Sequence, residues 1–397
     1  MENSVTVPTR NTHFWFLDSI RGLAAFYVVL HHASQSVAMN GLSVWKYVHT
    51  LFGGGHYAVD VFIVVSGFSL GIPVWIGKYD GFKKYICRRA VRILPPYFIT
   101  CAICLALIFT VIDGGPGSRW EDSAQITTMG LVTHLFMVYD WSVATATQIN
   151  YVLWSVAVEW KIYFLLPLIV YAIARIGGAS SMVVIGLLSY GAWFIIYKLD
   201  VLNPGAFGSS LYYVWLFAMG LLSSRIAIEK SKQVSYADLK KSNYFFVATA
   251  LAAVVACVIT RRTLTLLTAL QVQSAFVGAW TAVLLYWLAI RPRQKMKSSA
   301  LASMTGRLGT MGYSIYLIHP PIVQLIYQWI FVENGWTGSA AIVPMIALCA
   351  LIVPLAAYGF HICFERPFHR LSRSLFSTSR KPSIMLDRSI GHDASKT

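Results

Sequence analysis

Charged residues are scarce in this 397-residue chain, in which Asp, Glu, Lys and Arg make up only 12%. A soluble globular domain carries roughly a quarter charged residues, so this chain lacks the polar surface that a water-soluble protein of its size needs. Its residues are 57% hydrophobic and 14% aromatic, and its mean hydropathy is +0.61. The composition excludes a soluble globule, a disordered chain and a collagen-like fibre, and it indicates an integral membrane protein.

Cysteine is also scarce, and the six cysteines lie in or beside apolar runs. Cys101 and Cys104 form a CxxC pair, but no second pair accompanies it and both residues fall in a predicted span. We therefore expect neither a disulfide framework nor a metal site. The N-terminal segment lacks a basic stretch followed by an apolar core and a cleavage site, so we expect no cleaved signal peptide.

Apolar runs of about 20 residues predict an all-α bundle of about ten transmembrane helices. These runs cover residues 16–39, 56–77, 93–112, 150–174, 181–199, 211–228, 244–260, 268–290, 308–331 and 339–361. The 128–145 stretch is shorter and contains His134 and Asp140, so we expect an interfacial or re-entrant piece there. We predict one transmembrane domain over residues 1–370 and a basic, disordered cytoplasmic tail at 371–397.

The net charge of +16 comes from 32 Lys and Arg residues against 16 Asp and Glu residues. Ten spans put both termini on one side of the membrane. If that side is the cytoplasm, the inner segments contain 25 Lys or Arg residues and the outer segments contain five. This bias predicts that the N- and C-termini are both inside. The positive charge thus indicates orientation and contact with membrane lipid rather than nucleic-acid binding.

The first span contains four ionisable residues, Asp18, Arg21, His31 and His32. Charged groups inside a bilayer are costly, and they mark candidate functional sites. Arg21 and His32 share one face of a helix, about 16 Å apart along its axis. Asp18 precedes Arg21 by one turn and can pair with it. A buried histidine is either a satisfied hydrogen-bonding group or a reactive base, and the shared face favours a base at His32.

Three other spans bring ionisable residues to a depth similar to that of His32, namely Asp60, Glu159 and His319. Asp60 is either a carboxylate that orients an imidazole or an interfacial residue at a helix end. Glu159 either lines a substrate cavity or makes a polar contact in the bundle core. Pro320 and Pro321 follow His319 and interrupt the helical hydrogen bonds there, which a membrane protein tolerates where the backbone is buried in protein or lines a cavity.

A predicted inner loop contains a second cluster, in which Arg88, Arg89 and Arg92 precede Tyr97. One interpretation is a positive-inside loop that contacts anionic lipid. The other is a guanidinium cluster that binds the phosphates of a cytosolic donor. Composition alone does not separate these two interpretations.

Six motifs in order resemble the membrane-bound acyltransferase family 3, the inner-membrane O-acyltransferases that modify bacterial surface glycans. The motifs are LDxxRGxA…H at Leu17–His32, the VDxF…SGF-like motif at Tyr57–Phe68, RRxxRxxPxY at Arg88–Tyr97, the LWS…E-like motif at Leu153–Pro167, YSxYLxHxP at Tyr313–Pro321 and ExP at Glu365–Pro367. Two departures stand out. Trp160 and Lys161 replace residues that are commonly Glu or Gln, and the extracytoplasmic esterase-like domain of some members is absent from this sequence.

The resemblance implies an enzyme of the bacterial inner membrane. It implies that an acyl group, often acetyl, moves from cytoplasmic acyl-CoA to a hydroxyl of a glycan or lipid-linked sugar acceptor. His32 matches the essential histidine, with Arg21 as its partner. Residues expected to bind the donor are Arg21, Arg88, Arg89, Arg92, Tyr97 and Glu365.

For the mechanism, we expect His32 to act as the general base towards the acceptor hydroxyl, with Asp60 or Glu159 orienting it. His319 or Tyr316 would donate to the oxyanion. Direct transfer and a covalent acyl-histidine are both compatible with the sequence. The alternative function is a proton-coupled transporter of small solutes that uses the same intramembrane groups as a relay.

Overall fold

The computed structural model describes residues 14–37, 45–112, 114, 120–199, 211–231, 234–263, 266–291, 300–336 and 338–376. These ranges are almost entirely helical. In chain order, helices α1 to α16 are Trp15–Gln35, Trp45–Leu51, Gly55–Trp75, Phe82–Thr110, Glu121–Ala124, Thr128–Leu135, Val143–Ala146, Trp154–Arg175, Gly178–Leu199, Tyr212–Lys230, Tyr236–Thr263, Leu266–Ala289, Ala300–Thr310, Gly312–Ile326, Ile342–Phe360 and Arg366–Leu375.

Each of the ten predicted spans coincides with a long helix, namely α1, α3, α4, α8 to α12, α14 and α15. Within the described ranges, eight helical segments are long and apolar enough to cross a membrane. The two remaining long helices, α1 and α10, contain 21 and 19 residues but include charged side chains. The protein is therefore an integral-membrane helical bundle, while the count of ten spans and the inside location of both termini stay predictions.

The 128–145 stretch forms short pieces rather than a span. Helix α6 has eight residues, a 3₁₀ turn covers Tyr139–Trp141, and α7 has four residues. Asp140 in the turn is fully buried and forms an ion pair with Lys161 of α8, which explains a lysine inside a predicted span. Burial raises the pKa of the Asp140 carboxyl, and the Lys161 ammonium opposes that rise. This ion pair fixes the short helices against the long α8.

Glycines let α3 and α10 approach at backbone distance. A methyl group built on Gly67 would lie 2.1 Å from the carbonyl oxygen of Phe217, and one on Gly220 would lie 2.1 Å from that of Val64. Small residues at a crossing are the usual way for membrane helices to pack closely, because lipid supplies no hydrophobic driving force between them. This crossing holds α3 against the centre of the bundle.

A second close crossing joins α1 to α13. A methyl group on Gly22 would lie 2.4 Å from the Gly309 nitrogen, and one on Gly309 would lie 1.8 Å from the Asp18 carbonyl oxygen. Gly22 directly follows Arg21 in the chain, so this contact fixes the turn of α1 that bears the intramembrane ion pair. The glycine of the predicted RG motif therefore has a packing role.

The C-terminal part of the described chain is one continuous helical rod from Ser339 to Leu375. A π-helical turn at His361–Glu365 joins α15 to α16. Helix α16 packs against α4, where the Ser372 hydroxyl donates to the Arg88 carbonyl oxygen at 3.0 Å. Residues 371–375 thus belong to the bundle rather than to the expected tail, and positions 377–397 lie outside the described residues.

The α3–α10 crossing predicts that Gly67→Ala destabilises the protein. The added methyl group overpacks the helix contact, and we expect a loss of about 1–3 kcal/mol in the free energy of unfolding. The check is the thermal unfolding midpoint of the detergent-purified protein. Gly359→Ala is the matched control, because a methyl group there meets nothing within 4 Å. Equal midpoints for the two variants would contradict the tight crossing.

Candidate active site

A cavity of about 800 Å³ opens among α1, α3, α4, α8, α14 and the α15–α16 rod, a volume typical of ligand pockets. Its charged and histidine lining residues are Asp18, Arg21, Arg89, Arg92, Glu159, His361, Glu365, Arg366, His369, Arg370 and Arg373. Six arginines face three carboxylates, so the cavity has a positive balance. Guanidinium groups bind carboxylates and phosphates through paired hydrogen bonds, and this lining therefore favours an anionic ligand with several phosphate groups.

Arg21 is held at the side of this cavity by two contacts. Its guanidinium donates to the Asp18 carboxylate at 3.1 Å and to the Ser69 hydroxyl of α3. The i, i+3 pairing expected from the sequence is therefore confirmed. Because α1 is fixed by its glycine crossing, the Arg21 side chain has a defined direction into the cavity.

The Glu159 carboxylate lies in the cavity wall and accepts hydrogen bonds from Ser66 of α3 and Tyr163 of α8, the latter at 2.5 Å. Arg89 lies over the Tyr163 ring at 5.9 Å. Of the two interpretations of Glu159, the structure supports the cavity-lining one. The hydroxyl donors leave this carboxylate facing the arginines.

Glu365 is buried in the π-helical turn and accepts hydrogen bonds from the Ser314 hydroxyl at 2.5 Å and from His361 Nδ1 at 2.9 Å. The carboxylate therefore ties the C-terminal rod to α14 while it lines the cavity. It is a negative group among the arginines that line the cavity.

Tyr316 closes the deep end of the cavity. Its hydroxyl donates to the Val152 carbonyl oxygen at 2.7 Å and lies 2.6 Å from the Ser155 hydroxyl, which therefore donates to Tyr316. The Phe62 ring lies 6.0 Å away. Since the Tyr316 proton goes to a backbone carbonyl, this tyrosine in its observed position does not act as the oxyanion donor expected for it.

His32 and His319 lie one layer beyond Tyr316. The ring centroids of Tyr316 and His319 are 5.8 Å apart, and those of His319 and His32 are 5.2 Å apart. His319 is fully buried and His32 is half-buried. Within the described ranges, neither histidine lines the basic cavity. The imidazole pair is thus adjacent to the cavity but separated from it by one tyrosine ring.

Two residues predicted to bind the donor, Arg88 and Tyr97, lie outside the cavity. The Arg88 guanidinium donates to the Asp80 carboxylate and to the Phe376 carbonyl oxygen, so it faces away from the cavity that Arg89 lines. Tyr97 is fully buried, and its hydroxyl donates to the His134 carbonyl oxygen at 3.3 Å. The structure places neither side chain in the wall of the basic cavity, and their expected role in donor binding stays a prediction.

Asp60 is fully buried on α3 and lies beside Ser274 of α12. Tyr190 and Tyr213 are also near its carboxylate. Asp60 does not line the basic cavity. With Glu159 bonded to Ser66 and Tyr163, both carboxylates expected to orient His32 have other neighbours.

Comparison with known proteins assigns the chain to a family. A family described as an acyltransferase domain, acyltransferase family 3, matches residues 14–359. The chain belongs to that family. It is an acyltransferase, and the family assignment favours an enzyme over the proton-coupled transporter.

Two curated relatives are similar to this chain over different lengths. The Streptomyces mycarofaciens protein named acyltransferase MdmB is 24% identical over 387 residues, which cover 92% of this chain and 94% of MdmB. BcsY of Komagataeibacter xylinus, named as a membrane-bound transacylase, is 24% identical over 218 residues, or 52% of this chain and 50% of BcsY. The match to BcsY thus spans only about half of that relative. No solved structure is significantly similar to the chain.

Part of this acyltransferase's cavity was not predicted from the sequence. Arg366, His369, Arg370 and Arg373 line it, although in the sequence their positive charges indicate only membrane orientation. Their spacing of three, four and seven residues places them on one helix face, and this was the signal that could have identified them.

Glu365→Gln should lower stability, because a neutral amide accepts the Ser314 and His361 protons less well than a carboxylate does. We expect a loss of about 1–3 kcal/mol. Thermal unfolding in detergent measures it. Glu229→Gln is the control, since this exposed carboxylate forms only a surface ion pair with Arg225. A Glu365→Gln midpoint no lower than that of the control would show that the buried contacts are not needed.

Proposed function

We propose that this acyltransferase transfers an acyl group, in particular acetyl, from acyl-CoA at the cytoplasmic face to a hydroxyl of a carbohydrate-type acceptor. We place it in the bacterial inner membrane with both termini in the cytoplasm. The observation that carries the proposal is the cavity lined by six arginines, which lies next to an imidazole pair. The acceptor class comes from the family resemblance.

The donor fits the charges of the cavity. Coenzyme A carries several phosphate groups on a long, uncharged arm that ends in the thioester. Arg89 and Arg92 of α4 and the arginines of α16 line the cavity and are available for the phosphates, and Arg21 lies further along the wall. The arm then points towards Ser155 and Tyr316. In this proposal the thioester reaches the deep end while the phosphates stay at the arginines.

The reaction joins the acceptor oxygen to the thioester carbonyl carbon and breaks the carbon–sulfur bond. His32 takes the hydroxyl proton as the oxygen attacks, and that proton then passes to the departing coenzyme A sulfur. General-base help of this kind is worth roughly a hundred- to ten-thousand-fold in rate. Tyr316 lines the cavity and its ring lies next to His319, so in this proposal a movement of its side chain brings the thioester within reach of the histidines.

Arg88 and Arg89 are neighbours in the sequence but point in different directions, so their substitution tests the proposed donor site. Arg89→Gln removes a guanidinium from the cavity wall, and we expect the dissociation constant of acetyl-CoA to rise roughly 10- to 100-fold, the equivalent of one charge-assisted hydrogen bond. Arg88→Gln should change it little, because Arg88 bonds to Asp80 instead. Isothermal titration of the purified protein measures both. Equal effects of the two substitutions would remove the cavity as the donor site.

His32→Ala tests the catalytic assignment. We expect acetyl transfer to fall at least about a hundredfold, while acetyl-CoA binding changes little because His32 lies outside the cavity. Membranes are incubated with labelled acetyl-CoA, the acylated product is identified by mass spectrometry, and its formation is then followed. Unchanged turnover by the variant would exclude His32 as the base, and intact donor binding would show that the variant is folded.

A further inference from the structure

Two consecutive prolines interrupt the hydrogen bonds of α14 beside the imidazole pair. In an α-helix each backbone N–H donates to the carbonyl oxygen four residues earlier. Pro320 and Pro321 have no N–H, so the carbonyl oxygens of Tyr316 and Leu317 lose their helical donors. Both residues are buried. An unpaired buried carbonyl group costs free energy. Other groups must therefore donate hydrogen bonds to these two carbonyl oxygens.

The side chains of His319 and Asn150 donate hydrogen bonds to these two oxygens. His319 Nδ1 lies 2.8 Å from the Tyr316 carbonyl oxygen and 3.1 Å from that of Ile315. Asn150 Nδ2 donates to the Leu317 carbonyl oxygen at 3.2 Å. Each carbonyl oxygen that lacks a helical donor because of a proline is thus hydrogen-bonded to the side chain of a buried polar residue.

The backbone that positions Asn150 is strained. The preceding residue, Ile149, has φ of +66°, a left-handed conformation that a β-branched residue rarely adopts. Such strain persists only where surrounding contacts enforce it. Here the Ile149 N–H donates to the Ser123 carbonyl oxygen at 3.0 Å, and the Asn150 side-chain oxygen accepts from the Val152 N–H at 3.3 Å.

These contacts determine the tautomer of His319. A carbonyl oxygen only accepts hydrogen bonds, so Nδ1 must carry the proton. In a neutral ring Nε2 then bears the lone pair. Within the described part of the chain, Nε2 is buried and has no hydrogen-bond partner. It therefore accepts a proton or a hydrogen bond, and a neutral His319 is not the oxyanion donor expected from the sequence.

We propose that Pro320 is a positioning residue that holds His319 in its Nδ1–H form, so that Nε2 accepts a hydrogen bond from a hydroxyl of the acceptor substrate beside His32. Pro321 and Asn150 fix the adjoining α14 backbone through the Leu317 carbonyl oxygen. This inference rests on the proposed function, which provides the acceptor substrate. The oxygen–carbon bond that forms and the carbon–sulfur bond that breaks are those of the proposed acyl transfer, and His32 remains the group that takes the proton. His319 orients the acceptor, and the prolines act only through His319 and the α14 backbone.

The tautomer is measured directly by nitrogen NMR of histidine-labelled full-length protein in lipid bilayers, with His319→Gln to assign the signal. We expect a neutral ring protonated at Nδ1. In Pro320→Ala the new N–H competes for the Tyr316 carbonyl oxygen, so a second tautomer should appear. The value of kcat should fall about tenfold or more, with the acetyl-CoA KM unchanged. Pro321→Ala is the matched control and should keep the Nδ1–H form.

A double-mutant cycle tests the role of Asn150 without any substrate. Asn150→Ala leaves the Leu317 carbonyl oxygen unpaired and should lower the thermal midpoint. In a Pro321→Ala background the restored N–H supplies that oxygen, so the same substitution should lower the midpoint clearly less. Additive effects, or a wild-type His319 protonated at Nε2, would overturn the inference. Because neither measurement needs acyl transfer, their failure is distinct from failure of the proposed function.

Discussion

Every polar group within this bundle is subject to one constraint, namely that lipid offers no hydrogen bonds in place of water. A buried charge or carbonyl group must find its partner in the protein or face a cavity. The carboxylate of Glu159 meets Ser66 and Tyr163, and that of Glu365 meets Ser314 and His361. The site thus follows from the same requirement that makes the chain helical.

The helices were predictable from the sequence because length and hydropathy alone decide whether a segment can span a bilayer. All ten predicted spans coincide with helices, and the short 128–145 pieces agree with expectation. The pair formed by Asp18 and Arg21 was also predictable, since both groups lie on one helix three residues apart. The membrane-bound acyltransferase family could be recognised because its motifs occur in order along the chain.

The partners of individual side chains across the bundle were not predictable. Arg88 and Arg89 are neighbours in sequence, yet a helix turns 100° per residue, so only contacts with α16 and the 78–81 loop decide which of them faces the cavity. Asp60 lies beside α12 and not in the cavity wall. Tyr316 belongs to a recognised motif, yet its place between the cavity and the histidines depends on contacts with α8. Such choices arise from tertiary packing, which a single sequence does not display.

The π-helical turn at His361–Glu365 has a geometric consequence for the rod that contains it. A turn of this kind accommodates an extra residue without ending the helix. If the same residues were wound as an ordinary α-helix with no change in length, the distal half of the rod would be rotated by about 100°. The Arg366, Arg370 and Arg373 side chains would then point away from α4 and into the surroundings of the bundle. A change in the winding of one turn, with no arginine lost, would be sufficient to dismantle the arginine-lined wall.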